Sequence, residues 1–175
     1  MEELKLGYVC HIKDEFFDMM NDEKLMQNKE NGRSRPAYYF AEDSETSLIW
    51  VIPMSTKVDK FREVQKRQER KYGSSMGVYI AKYDGKESVF LIQNMYPVMP
   101  SYISHIHTRN GNPIPVSHKT MKEVNKRAKK ALALYKRGCN TLFADIEHIK
   151  ATMLDEASEE QIIYDDYEDE YSPKR

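Results

Sequence analysis

Hydrophobic residues in the first two thirds of the chain come in short runs bounded by Gly, Pro, Asn and Asp, the signature of β-strands joined by tight turns. A first strand is predicted over residues 6–12, after which Asp14 reads as the N-cap of a short helix, EFFDMMN. The next segment, DEKLMQNKENGRSRP, is polar, carries Asn and Gly, and ends in Arg33 and Arg35, so it predicts an exposed, mobile and partly cationic loop. Strands over 37–41 and 46–52 are separated by the acidic hairpin link EDSE, and the second is expected to stop at Pro53. Strands over 76–82 and 87–93 flank Asp84-Gly85, a dipeptide that supplies the positive φ angles of a two-residue hairpin turn. Segments 104–108 and 113–116 flank another Asn-Gly, but Pro113 and Pro115 have no N–H to give a ladder and confine that hairpin to an edge.

After Ser117 the hydrophobic period changes from two to 3.6, with Met121, Val124, Ala128, Ala131, Leu132 and Tyr135 on one stripe. Ser117 is placed to cap this helix, Lys136 and Arg137 fall in its last turn, and Gly138 follows. A second helix is expected from an Asn140 cap, with Leu142, Phe143, Ile146, Ile149 and Met153 on its inner face. Antiparallel strands followed by two helices predict an α+β fold built on a small barrel.

Charge changes this picture more than length does. The 175 residues hold 27 Lys and Arg and 28 Asp and Glu, for a net charge of −1. Residues 155–175 carry nine acids against two bases, or −7, whereas the preceding 154 carry 25 bases against 19 acids, or +6. We therefore expect a basic domain over 1–154 and an acidic C-terminal tail over 155–175, the tail being solvating disorder or a competitor for the basic surface. No apolar run is long enough to cross a membrane, and MEELKLGYVCHIKDEFF lacks the apolar stretch of a signal peptide, so a cytoplasmic location without membrane contact is expected. Cys10 and Cys139 stand alone, which argues against a disulfide framework or a four-ligand zinc site and leaves each as a small buried hydrophobe.

The bases cluster. Between residues 57 and 71 lie Lys57, Lys60, Arg62, Lys66, Arg67, Arg70 and Lys71, with only Val58, Phe61 and Val64 to bury. Between 119 and 137 lie Lys119, Lys122, Lys126, Arg127, Lys129, Lys130, Lys136 and Arg137 against one acid, Glu123. One such run is ordinarily a solvated helix face; two in one domain, with Arg33 nearby in the cationic loop, point to a polyanion. Tyrosines such as Tyr38, Tyr39, Tyr72, Tyr79, Tyr83, Tyr96 and Tyr102 could stack on unpaired bases and favour single-stranded RNA, although tyrosines also fill β-domain cores.

No P-loop, GxGxxG, HExxH, GxSxG or CxxC is present, which removes the common nucleotide-binding, zinc-protease and serine-hydrolase readings. Three smaller groupings remain. His105 and His107 could share one strand face, as a metal pair or as the two histidines of a phosphodiesterase, or be polar residues of an exposed edge. His11 stands alone, a polar strand residue or a proton carrier. Ser55, Thr56 and Lys57 emerge where a buried strand stops; they form either a plain hydroxyl turn into the basic segment or a site where hydroxyls orient a ribose 2′-OH while an ammonium offsets phosphorane charge.

The blocks YVCHIKDEFFDMMNDEKLM, RPAYYFAEDSETSLIWVIPMSTKVDKF, GKESVFLIQNMYPV and KRAKKALALYKRG, taken in order, resemble the toxins of type III toxin–antitoxin systems, the ToxN family, and most closely its CptN-like branch. The resemblance spans about residues 6–153. It implies a compact, twisted antiparallel β-barrel of the MazF-like, Kid-like, SH3-like kind, elaborated with helices. It also implies a metal-independent endoribonuclease without cofactors that leaves 2′,3′-cyclic phosphate and 5′-hydroxyl ends on cellular or phage RNA. The inhibitor would be a small pseudoknotted antitoxin RNA, cut from a repeat precursor and held with the toxin in a closed protein–RNA oligomer. Residue by residue, the family's hydroxyl turn falls on Ser55 and Thr56, its lysine on Lys57 and its basic residue before the second strand on Arg35. The turn departs from the Thr-Ser-Pro-Lys of many relatives. Two alternatives stand beside this reading: a non-catalytic RNA-binding module, and a metal nuclease built on His105 and His107.

Overall fold

A computed structural model describes residues 3–171, with side chains described as far as residue 163. The first strand is β1 (Val9–Ile12), followed by α1 (Asp14–Met20) and then by a small hairpin of β2 (Lys29–Glu30) and β3 (Arg33–Ser34). Next come β4 (Pro36–Glu42), β5 (Ile49–Ser55), α2 (Val58–Tyr72), β6 (Tyr79–Tyr83), β7 (Lys86–Phe90) and β8 (Tyr96–Val98). β9 (Ile103–Ile106) is followed by the short pair β10 (Thr108–Arg109) and β11 (Asn112–Pro113), then α3 (His118–Lys136) and α4 (Ile146–Tyr171).

The main sheet runs β6-β7-β5-β4-β1-β9, with β8 also paired to β5, and every pairing is antiparallel. This bears out an antiparallel sheet carrying helices. The path is open, however: among the described residues β6 and β9 pair with no common strand that would close a barrel. β5 is buried along its whole length, as a central strand covered on both faces must be. It runs through Pro53 to Ser55, beyond the stop predicted there. Along β5, β8 pairs with Ile49–Val51 and β7 with Met54 and Ser55, so Pro53 falls between partners where no N–H is needed, and its carbonyl accepts from Leu91 N at 2.9 Å.

Asp84 and Gly85 adopt φ of 50° and 74°, turning β6 into β7 as predicted. Asn31-Gly32 makes the same turn with φ of 51° and 74°, so part of the expected mobile loop is the ordered β2–β3 hairpin. α3 begins as predicted, with Ser117 Oγ accepting from Thr120 N, and buries Val124, Ala128 and Ala131. Full burial of Val124 alone is worth about 1.5–3 kcal/mol.

Further expectations are corrected. α1 has no side-chain cap; Asp14 is its first residue and instead accepts from Asn28 Nδ2 at 2.7 Å and pairs with Lys29. The last helix starts at Ile146, not Asn140, because Asp145 takes the cap by accepting from His148 N at 3.1 Å. Phe143, in the extended stretch before it, is exposed rather than on an inner face. The segment expected as a disordered tail continues α4 without a break as far as Tyr171; residues 172–175 lie outside the described residues. Tyr102 Oη donates to Glu156 at 2.5 and 2.6 Å and so ties the start of that acidic extension to the body. Cys10 is buried as expected, whereas Cys139 is exposed beyond α3.

Candidate active site

β5 delivers Ser55, and the chain then turns through Thr56 and Lys57 into α2. Ser55 is 4% exposed, while Thr56 and Lys57 face solvent. Ser55 Oγ accepts from Lys57 N at 3.1 Å, which is the hydroxyl turn expected at such a junction. Sequence reasoning missed the residue that organises this turn. The β2–β3 hairpin lays Glu30 against it: Oε2 accepts from Ser55 Oγ at 2.9 Å and Arg35 Nη1 at 2.5 Å, and Oε1 accepts from Thr56 N at 3.0 Å and Thr56 Oγ1 at 2.8 Å. Burial works to raise the Glu30 carboxyl, but the Thr56 N–H, the two hydroxyls and the Arg35 guanidinium outweigh it and hold the group below the usual carboxylate range. Asn31-Gly32 was the signal that could have found Glu30, since a hairpin there brings residue 30 back towards the strand that follows.

Arg35 is 9% exposed and its guanidinium is engaged, with Nε donating to Gln27 O at 2.8 Å and Nη1 to Met54 O at 3.0 Å as well as to Glu30. The four residues assigned by resemblance, Ser55, Thr56, Lys57 and Arg35, are therefore neighbours, with Arg35 inside and Thr56 and Lys57 outside.

His11 lies in a second cluster. β1 pairs with β9 in a register that sets His11 opposite His105, and the rings stack with centroids 4.4 Å apart and planes 8° apart. His107 follows β9 on the same side, with its Nδ1 2.9 Å from His11 Nε2. Ser34 Oγ lies 2.8 Å from His11 Nδ1, and Asp84 Oδ2, in the β6–β7 turn, lies 3.3 Å from His107 Nε2. Arg109 pairs with the other Asp84 oxygen. Burial, and then His105 and His107, lower the His11 imidazole to about 4, so it stays neutral near pH 7. The sequence placed His105 and His107 on one face but could not bring His11 to them. Among the described residues no group of three His, Cys, Asp or Glu is disposed to hold a metal ion. The two clusters are joined by consecutive residues, since Ser34 reaches His11 and Arg35 reaches Glu30.

Basic side chains line α2, which leads away from the turn, and α3. Lys60, Lys66, Arg67, Arg70 and Lys71 are exposed along α2, although Lys66 pairs with Glu63 and Arg62 with Glu87. On α3, Lys119, Lys122, Lys126 and Lys130 are exposed, whereas Arg127 is held by Glu123, donates to Ser75 O at 3.2 Å and lies over the Tyr79 ring. Arg33 is exposed in β3. Of the tyrosines considered for stacking, Tyr38, Tyr39, Tyr83 and Tyr96 are core residues, while Tyr72 at the end of α2 is exposed. A cleft of about 830 Å³ lies elsewhere, lined by Trp50, Tyr135, Lys150 and Cys139. An open basic surface rather than a closed pocket is what a polynucleotide requires.

Comparison with protein-family models finds no match, and no curated protein sequence matches. By fold, the chain is similar to a solved ribonuclease of the toxin–antitoxin class. That structure is AbiQ, described as a lactococcal anti-phage endoribonuclease belonging to the type-III toxin-antitoxin system; the likeness has a TM-score of 0.60 at 14% identity and covers 86% of this chain and 98% of that one. No helix among the described residues is long and apolar enough to cross a membrane.

Proposed function

We propose that this chain is an endoribonuclease toxin of a type III system. The observation that carries the reading is the Ser55-Thr56-Lys57 turn, its two hydroxyls held by Glu30, at the start of a basic helix. The AbiQ-like fold supports it independently. Thr56 Oγ1 commits its proton to Glu30, which leaves its lone pairs to accept a hydrogen bond from the RNA; Ser55, buried and bonded on both sides, holds the turn. Lys57 offsets the negative charge that develops on the phosphorane. Attack of O2′ on phosphorus expels O5′, leaving a 2′,3′-cyclic phosphate and a 5′-hydroxyl. Arg35 acts as a positioning residue, and phosphates along the strand fall to Arg33 and the exposed bases of α2 and α3.

The same surface would take the inhibitor, a small pseudoknotted antitoxin RNA in a closed assembly, with cellular or phage RNA as substrate and the cytoplasm as the site of action. Kinship to the CptN-like branch, and to MazF-like and Kid-like toxins, is proposed at the level of the twisted antiparallel sheet. Residues 1–154 would form the catalytic body and 155–175 an acidic extension of it. Induced expression without antitoxin RNA should arrest growth, and the Thr56→Ala, Lys57→Ala double variant should relieve the arrest. Arrest that persists in the double variant refutes the site, and RNA that is bound but left intact favours a non-catalytic binder.

A further inference from the structure

The hydroxyl turn supplies no base. Glu30 is saturated by four donors, and the Ser55 and Thr56 hydroxyls donate to it, so none of the three is free to remove a proton. A general base must come from elsewhere, and the second cluster has the required form. One tautomer set satisfies every contact of this cluster: Asp84 accepts from His107 Nε2–H, which leaves His107 Nδ1 as an acceptor. His11 then donates from Nε2 to His107, and its Nδ1 accepts from Ser34 Oγ–H. The four groups form one directed line. It ends on a half-buried serine hydroxyl next in sequence to Arg35, which braces the turn.

We propose that Ser34, His11, His107 and Asp84 form a proton relay that acts as the general base for the ribonuclease reaction, an assignment that rests on the function proposed above. As the bond from O2′ to phosphorus forms, the 2′-OH proton passes to Ser34 Oγ. The Ser34 proton moves to His11 Nδ1, and the His11 Nε2 proton moves to His107 Nδ1. The resulting imidazolium on His107 lies beside Asp84. The bond from phosphorus to O5′ breaks, and O5′ takes a proton from solvent water. Ser34 touches the substrate, and the other three act through it as positioning residues. Burial of His11 beside Ser34 from β3, the His105 ring from β9 and His107 keeps it neutral and therefore able to accept; Tyr83 and Asp84 lie against His107, and Arg109 is the remaining charge at the far end. His105 stacks on the His11 ring.

The test uses the full chain and a short single-stranded RNA under single-turnover conditions across pH. Asp84→Asn keeps a residue that tolerates the positive φ of the turn, so the fold should persist. It should slow cleavage roughly 10–100-fold and move the acid limb of the rate profile about one pH unit lower, because the charge stabilising the imidazolium is gone. His107→Asn should slow cleavage about 10²–10⁴-fold. RNA affinity should hold in both. In imidazole nitrogen NMR spectra of the wild type, His11 should be the neutral Nε2–H tautomer at pH 7. A rate and acid limb unchanged in both variants, with Thr56→Ala inactive, overturns the relay and leaves the ribonuclease reading standing. His11 found as the Nδ1–H tautomer also overturns the relay, since Ser34 could not then give it a proton. A wild type that leaves RNA intact at every pH overturns the ribonuclease reading and the relay with it.

Discussion

Glu30→Ala tests the feature on which the proposed site depends. Glu30 and Arg35 side chains are each 9% exposed, and the carboxylate accepts from the guanidinium, two hydroxyls and one backbone N–H. Truncating one member of a buried ion pair costs about 3–5 kcal/mol. Here Arg35 keeps two carbonyl partners and the Thr56 donors can turn to water, which lowers the figure, while the buried Ser55 hydroxyl is left without its acceptor. We expect about 3 kcal/mol for Glu30→Ala and about 1–2 kcal/mol for Glu30→Gln, which keeps the shape and one acceptor. Urea unfolding followed through Trp50, the single tryptophan and a buried residue of the same strand, reads the change directly. At an m-value of about 2 kcal/mol/M, Glu30→Ala should move the midpoint down by about 1.5 M with m unchanged. The carboxyl is depressed in the folded state, so its contribution is complete above the unfolded value of about 4.3 and is lost as pH falls through the folded one. The gap between wild type and Glu30→Gln should therefore narrow below about pH 4. Cleavage should fall about 100-fold through misplacement of Thr56, with RNA affinity retained. Glu30→Ala unfolding at the wild-type urea concentration would refute the cluster.

Three further outcomes are expected. His11 is lowered to about 4 against about 6.5 unfolded, so its contribution is present in full above about pH 6.5 and is lost as pH falls towards 4; after allowance for solvent screening this is about 1–3 kcal/mol, and the loss should disappear from the stability curve of His11→Gln. Replacing Lys60, Lys66, Arg67 and Arg70 with Gln should make the dependence of log affinity on log salt shallower by about 0.7 for each phosphate no longer neutralised, and an unchanged slope would place RNA on another face. Tyr102→Phe removes the hydroxyl that holds Glu156 and should lower stability by about 1 kcal/mol, with hydrogen exchange accelerated in α4 beyond residue 153 and unaltered in α3.

Periodicity and turn chemistry act over a few residues, and what they control was legible in the sequence. Asp84-Gly85 turned β6 into β7, Ser117 capped α3, the apolar stripe of α3 faced inward, and Ser55-Thr56-Lys57 emerged at the end of a buried strand. The two basic runs were also plain, because charge adds along a chain whatever its fold. Even the β2–β3 hairpin had its signal in Asn31-Gly32, hidden by the polar composition around it. Meetings between distant residues were decided only by tertiary structure. Glu30 reaches Ser55 across 25 positions and His11 reaches His107 across 96, and neither meeting leaves a periodicity to read. Strand pairing sets both: β1 against β9 brings three imidazoles together, and the hairpin before β4 places Ser34 on one cluster and Arg35 on the other. Likewise, Arg127 reads as a free base in the sequence and is taken by Glu123, Ser75 and Tyr79 in the fold. The residue types were fixed by the chain, but burial and register determined which charges are satisfied and which face solvent.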